Sequence, residues 1–262
     1  MTERIIPVDV VGPIALDLTM NTGSIRVVVD PALKQARMVL TTEAASGPTA
    51  DAIRDTTVSL TGQNLKVSVP DVAGGMGGST MTFSGGNGVQ IINGNVHITG
   101  HGGGKVFVNG REVTVTGSAG DAVTPISAVV HLPARSVAAI STNSANTVVT
   151  GTLARLEYDG TSGTLTAGRV GDLEAVVTSG SVIVGEVSGP LDINLTSGNV
   201  SVGAYSGHHA RLNLTSGNVR MAATSQASGR LSVNASSGNV RVTGAGHLNI
   251  RRRVTSGHVQ IS

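Results

Sequence analysis

One phrase recurs six times through the second half of the chain: Thr161-Ser162-Gly163, Thr178-Ser179-Gly180, Thr196-Ser197-Gly198, Thr215-Ser216-Gly217, Ser236-Ser237-Gly238 and Thr255-Ser256-Gly257. The glycines lie 17, 18, 19, 21 and 19 residues apart, and in the later copies Asn or His and then Val follow. A fixed period near twenty residues marks a repeat architecture, in which each unit buries its apolar face only against its neighbours. Ser144-Ala145-Asn146 reads as a degenerate seventh copy. Asn146 is taken to stand in the glycine position, because Asn tolerates left-handed backbone better than other side chains.

Around each corner the apolar residues alternate. Leu191, Ile193 and Leu195 precede Gly198, and Val200 and Val202 follow it; Leu231, Val233 and Ala235 precede Gly238, and Val240 and Val242 follow it. Period two means strand, so each repeat reads as two short strands joined by a tight Thr-Ser-Gly corner. Such a unit is either an antiparallel hairpin or one coil of a parallel solenoid. Identical corner residues favour the solenoid, because coils lying about 4.8 Å apart stack equivalent positions into ladders. Asn194, Asn213 and Asn234, each four residues before a glycine, extend the same logic. The expected fold is an all-β parallel β-solenoid of about seven coils from residue 135 onward. Residues 1–70 supply N-terminal strands, beginning with the similar phrase Thr22-Gly23-Ser24-Ile25, and a helical turn is expected at residues 50–55. Residues 71–124 read as a Gly-rich insertion with short strands, 15 Gly falling between 71 and 120, and residues 125–262 carry the regular repeats.

Composition narrows the function. The 262 residues include no Cys or Trp and only two Tyr and two Phe. That removes disulfides, thiolate metal sites and cysteine nucleophiles, and leaves almost no stacking platform for bases or sugars. The net charge of +2 is too small for a nucleic-acid footprint. No apolar run is long enough for a signal peptide or a membrane span, so the expectation is a cytoplasmic protein with neither nucleic-acid nor membrane partner.

The repeated Ser-Gly-Asn-Val phrase, with the strand ending Val129-Val130-His131-Leu132-Pro133-Ala134 ahead of it, resembles the adhesin-like β-strand-repeat family of bacterial proteins, a family of unknown function. The resemblance covers roughly residues 5–70 and 125–262. It implies a β-repeat fold and brings no catalytic residues.

Candidate chemistry was sought within this frame. His101-Gly102-Gly103-Gly104 resembles an esterase oxyanion loop but lacks the G-x-S-x-G elbow that would supply its nucleophile. Lys105 follows the glycines without the spacing of a phosphate loop. Asp is absent between Asp71 and Asp121, which leaves a calcium-binding roll without carboxylates. The histidines at 97, 101, 131, 208, 209, 247 and 258 are scattered, so no metal site is expected. Glu157, Glu174 and Asp192 share one offset, six before a corner glycine, and read as a solvated strip. No catalytic, cofactor or metal residues are therefore assigned, and a small-molecule ligand is not expected. The function indicated is a non-catalytic structural or interaction module that binds a protein partner or another copy of itself. The alternative is a β-helix-type hydrolase or lyase acting on a polymer.

Arg251, Arg252 and Arg253 break the pattern of the last repeat. Arg252 falls at an offset that is apolar elsewhere. It reads as an inward-pointing gatekeeper against edge-to-edge growth, or else the three arginines form a docking site for an acidic partner or a second copy.

Overall fold

The structure is a computed structural model that describes residues 1–72, 106–108, 111–113 and 124–262. Of the described residues 68% are in strands and 3% in helix, and they form a parallel β-solenoid of about seven turns, as the repeat predicts. The N-terminal part comprises β1 (Thr2–Val11), β2 (Ala15–Thr19), β3 (Ser24–Asp30), β4 (Gln35–Thr42), the helix α1 (Pro48–Arg54), β5 (Thr57–Thr61) and β6 (Asn64–Ser68). A two-stranded antiparallel pair follows, β7 (Val106–Val108) with β8 (Arg111–Val113). The repeats comprise β9 (Ser127–Pro133), β10 (Val137–Thr142), β11 (Asn146–Gly160), β12 (Thr164–Val177), β13 (Ser181–Val187), β14 (Leu191–Leu195), β15 (Asn199–Tyr205), β16 (His209–Ala223), β17 (Arg230–Thr243) and β18 (Asn249–Ile261).

Two parallel faces run the length of the stack. The front face is β6, β2, β10, the second half of β11, the second half of β12, β14, and then the first halves of β16, β17 and β18. The back face is β9, β3, the first halves of β11 and β12, β13, β15, and then the second halves of β16 to β18. β2 and β3 form a complete early coil on which β10 and β11 stack. β6 and β9 stack on its other side. Ser24 N–H donates to the Ile126 carbonyl just before β9, and Val69 N–H to the Thr19 carbonyl just after β6. β4 and β1 extend the back face beyond β9 by antiparallel pairing. The expected division at 70 and 124, and the expected insertion sheet, fall mostly outside the described residues. Among the described residues no helix is long and apolar enough to cross a membrane.

The core is a set of inward columns. Leu16, Ala138, Leu156, Leu173, Leu191, Ala210 and Leu231 stack in one column, and Leu18, Ile140, Tyr158, Ala175, Ile193, Leu212 and Val233 in the next; all are buried. Large and small side chains compensate for one another at one point of this core. Where Tyr158 takes a large share of the interior, the next inward position is Gly160, whose absent Cβ leaves room for the phenol ring. The neighbouring coil divides the same space between Ala175 and Val177. Such compensation keeps a long core at native density without strained side chains.

The corner glycines answer to a different constraint from the one their sequence suggests. Gly198, Gly217 and Gly257 have positive φ, but Gly163, Gly180 and Gly238 do not. All six are instead packed against the coil before. A Cβ on Gly163, Gly180, Gly198, Gly217, Gly238 or Gly257 would come closer than 3.0 Å to the corner carbonyl oxygen of the preceding coil. Register also corrects the seventh copy. Ala145, not Asn146, occupies the glycine column, because Asn146 pairs with Ser24 and Thr147 with Leu165. Asn146 Oδ1 accepts from Thr164 N–H at 3.3 Å instead.

Two predictions follow from the packing. Gly180→Ala, at a site without positive φ, should lower stability by about 1–3 kcal/mol by overpacking. Gly246→Ala, where a Cβ meets nothing within 4 Å, should change it by no more than about 0.5–1 kcal/mol in either direction. Denaturant unfolding of the two variants compares them, and equal effects would contradict the corner argument. The second concerns the two tyrosines. Burial pushes the Tyr205 phenol from 10.0 up to about 12 and raises Tyr158 as well. Both raised values favour the neutral phenol in the fold, so this stability is complete below pH 10, the unfolded value, and is lost as pH climbs through the folded values. Phenolate absorbance at pH 10 should be weaker in the native protein than in the urea-unfolded chain, where it is half-developed.

Candidate functional site

Alternation places every second residue of each front-face strand in an outward column. The first such column is Arg155, Asp172, Pro190, His209, Arg230 and Asn249; the second is Glu157, Glu174, Asp192, Arg211, Ser232 and Arg251; the third is Asp159, Val176, Asn194, Asn213, Asn234 and Arg253. Charge changes sign along the stack. Carboxylates predominate on the coils of β11, β12 and β14, where Arg155 is the one cation of these columns, and guanidinium groups on those of β16, β17 and β18.

The acidic half is partly neutralised within the chain. Arg155 lies 2.7 Å from Glu157 and 3.2 Å from Glu174, and Arg211 lies 3.5 Å from Asp192. These side chains are about half exposed, so each pair contributes little to stability and is readily exchanged. Among the described residues no salt bridge involves Asp159, Asp172, Arg230, Arg251 or Arg253.

In the third column the surface from β14 to β17 is neutral and ordered. Asn213 Nδ2 donates to Asn194 Oδ1 at 2.9 Å and Asn234 Nδ2 to Asn213 Oδ1 at 2.8 Å. A parallel ladder on the back face runs from Asn239 to Asn218 to Asn199, each step 3.0 Å. These are the ladders expected from the repeat. The front-face ladder continues at Arg253 and the back-face ladder at His258.

Arg251, Arg252 and Arg253 lie together on β18 and are exposed. With Arg211, Arg230 and His209 they line an open concavity of about 660 Å³ whose remaining walls are Asn and Ser. Arg252 shares its register with the buried Val233 and Leu212, but on β18 it is exposed and lines this concavity. The sequence reading missed Arg211 and Arg230. The signal was available: Arg211 and Arg251 both lie six residues before a corner glycine, and Asp172 and Arg230 both lie eight before one.

The described histidines do not converge. His131 sits on β9 opposite Arg37, His247 Nε2 lies 2.7 Å from the Ala227 carbonyl, and His258 continues an Asn column. Among the described residues no three of His, Cys, Asp and Glu are placed to hold a metal ion. His97, His101 and the glycines after it lie outside the described residues.

Comparison with known proteins places this arrangement. The Toastrack DUF4097 family model matches residues 17–262. No curated protein matches the sequence. Three solved structures align over nearly the whole chain. A putative adhesin from Bacteroides fragilis is 11% identical with a TM-score of 0.45, covering 99% of this chain and 96% of that one. A putative adhesin from Parabacteroides merdae is 12% identical with a TM-score of 0.44, covering 100% and 95%. A putative cell adhesion protein from Clostridium sporogenes is 9% identical with a TM-score of 0.35, covering 99% and 98%. The family match spans the β2 coil through β18 and bears out the resemblance carried by the repeated corners: the chain belongs to the Toastrack DUF4097 family.

Proposed function

We propose that the protein is a non-catalytic interaction module that docks a protein partner, or a second copy of itself, on the front face of its solenoid, with Arg251, Arg252 and Arg253 at the contact. The observation that carries this reading is the concavity shared by Arg211, Arg230 and the three β18 arginines. Small-molecule sites are enclosed and mostly apolar. This one is open, polar and strongly positive, a shape suited to the side chains of an acidic protein surface. Guanidinium groups suit that role because their planar forks match carboxylates two bonds at a time. The inter-coil spacing of about 4.8 Å repeats the donors at regular intervals. The division into strands at 1–70, an insertion at 71–124 and repeats at 125–262 belongs to the same proposal. A cytoplasmic setting is part of it too.

The test is affinity capture from the native cell with the parent and with Arg251, Arg252 and Arg253 all changed to Glu, beside an assay of both proteins on a panel of polymeric substrates. Capture of a protein that the triple variant loses, with no turnover by either, is expected. Turnover abolished by His131→Ala would overturn the reading in favour of a hydrolase or lyase.

A further inference from the structure

The three outward columns of the front face are complementary to themselves. A two-fold axis lying in this face, parallel to the strands and midway between β14 and the first half of β16, would set each coil against another of a second copy in reverse order. Asp192 then faces Arg211 of the other copy, Glu157 faces Arg251, Asp159 faces Arg253 and Asp172 faces Arg230. The remaining positions meet as Glu174 with Ser232, Arg155 with Asn249, Pro190 with His209, Asn194 with Asn213, and Val176 with Asn234. Every carboxylate in the six coils meets a guanidinium or a hydroxyl, and no like charges meet. Sliding the axis by half a coil destroys the match, since Asp192 then faces its own copy in one direction and Arg211 its own copy in the other. Like charges placed opposite each other in this way disfavour the wrong register.

We infer that the front face pairs with a second copy of this chain, antiparallel along the stack, in a symmetric dimer held by these charge columns. The inference rests on the reading that this face docks protein, and names the partner. A C2 contact requires one patch to be complementary to itself, and the reversal of charge about a single line is that property. Six coils of five-residue strand span roughly 30 Å by 17 Å, about 500 Å² per copy and about 1,000 Å² in all, at the lower bound for a specific interface. The dimer should therefore be weak and strongly salt-dependent, because exposed charges are screened beyond about 10 Å at 0.1 M salt.

Charge exchange tests it. One variant carries Arg251→Glu with Arg253→Glu, and the other Glu157→Arg with Asp159→Arg. Sedimentation of the parent at low salt should show a monomer–dimer equilibrium that shifts to monomer at about 0.5 M salt. Each variant alone places like charges at four contacts and should associate at least about tenfold more weakly. An equimolar mixture should recover the dimer, since every altered site then faces its opposite. Ser232→Arg, which gives Glu174 a cation to face, should tighten the parent dimer and does not depend on tolerance of the reversals. Circular dichroism confirms the strand content of each variant. A parent that remains monomeric at low salt, or a mixture no better than its parts, would overturn the dimer. Arginine-dependent capture of a different protein in that case would leave the docking reading standing, whereas loss of both would remove the two together.

Discussion

Everything in this structure depends on how closely one backbone corner can approach the next. At Gly180 the atom that a side chain would add falls against the carbonyl oxygen of Gly163, and at Gly198 against that of Gly180. The main chains there stack with nothing between them, and the ladder hydrogen bonds follow: Ser181 N–H donates to the Gly163 carbonyl at 3.2 Å and Asn199 N–H to the Gly180 carbonyl at 3.2 Å. A larger residue would wedge the coils apart at one edge while the strands held them at the other. Ala145 shows how much departure the column accepts, in the early coil that stacks on Gly23.

Flush stacking converts a linear repeat into columns, and the columns separate the protein's tasks. Inward positions are satisfied by volume, so Tyr158 with Gly160 and Ala175 with Val177 are equivalent solutions. Outward positions are free of that demand. One set became Asn ladders, in which each amide donates to the next and stiffens the surface. The other set carries charge, acidic on the coils of β11, β12 and β14 and basic on those of β16 to β18. A solenoid is well suited to this: the distance between two charges along the stack is fixed by the number of coils separating them, whatever the length of the loops between.

The fold was legible because its strongest constraint is local in sequence. The repeated Thr-Ser-Gly corners and the period-two alternation led directly to coils, and the Asn ladders to their stacking. The misreadings came where register decides. Asn146 was placed one position away from the glycine column because its chemistry suited positive φ, whereas the column selects for a small side chain and takes Ala145. Arg252 has the offset of the buried Val233 and Leu212, but that offset is buried only where a coil is covered, and β18 is exposed along most of its length. The wider basic cluster went unread for a related reason. Arg211 and Arg230 lie 20 or more residues before the arginine triplet, and only the stacking of β16, β17 and β18 brings them together. The place of the β2–β3 coil between β6–β9 and β10–β11 had no local signature at all.

The central claim is that successive repeats are successive coils, one strand spacing apart. The chain contains no cysteine, so a nitroxide pair can be attached through Thr161→Cys and Ser236→Cys, exposed corner positions in register and four coils apart. Electron–electron dipolar spectroscopy should give a separation near 19 Å, four strand spacings of about 4.8 Å, broadened by the label linkers. A chain of antiparallel hairpins would advance two strands per repeat and place the same labels about 38 Å apart, and that distance would contradict the account.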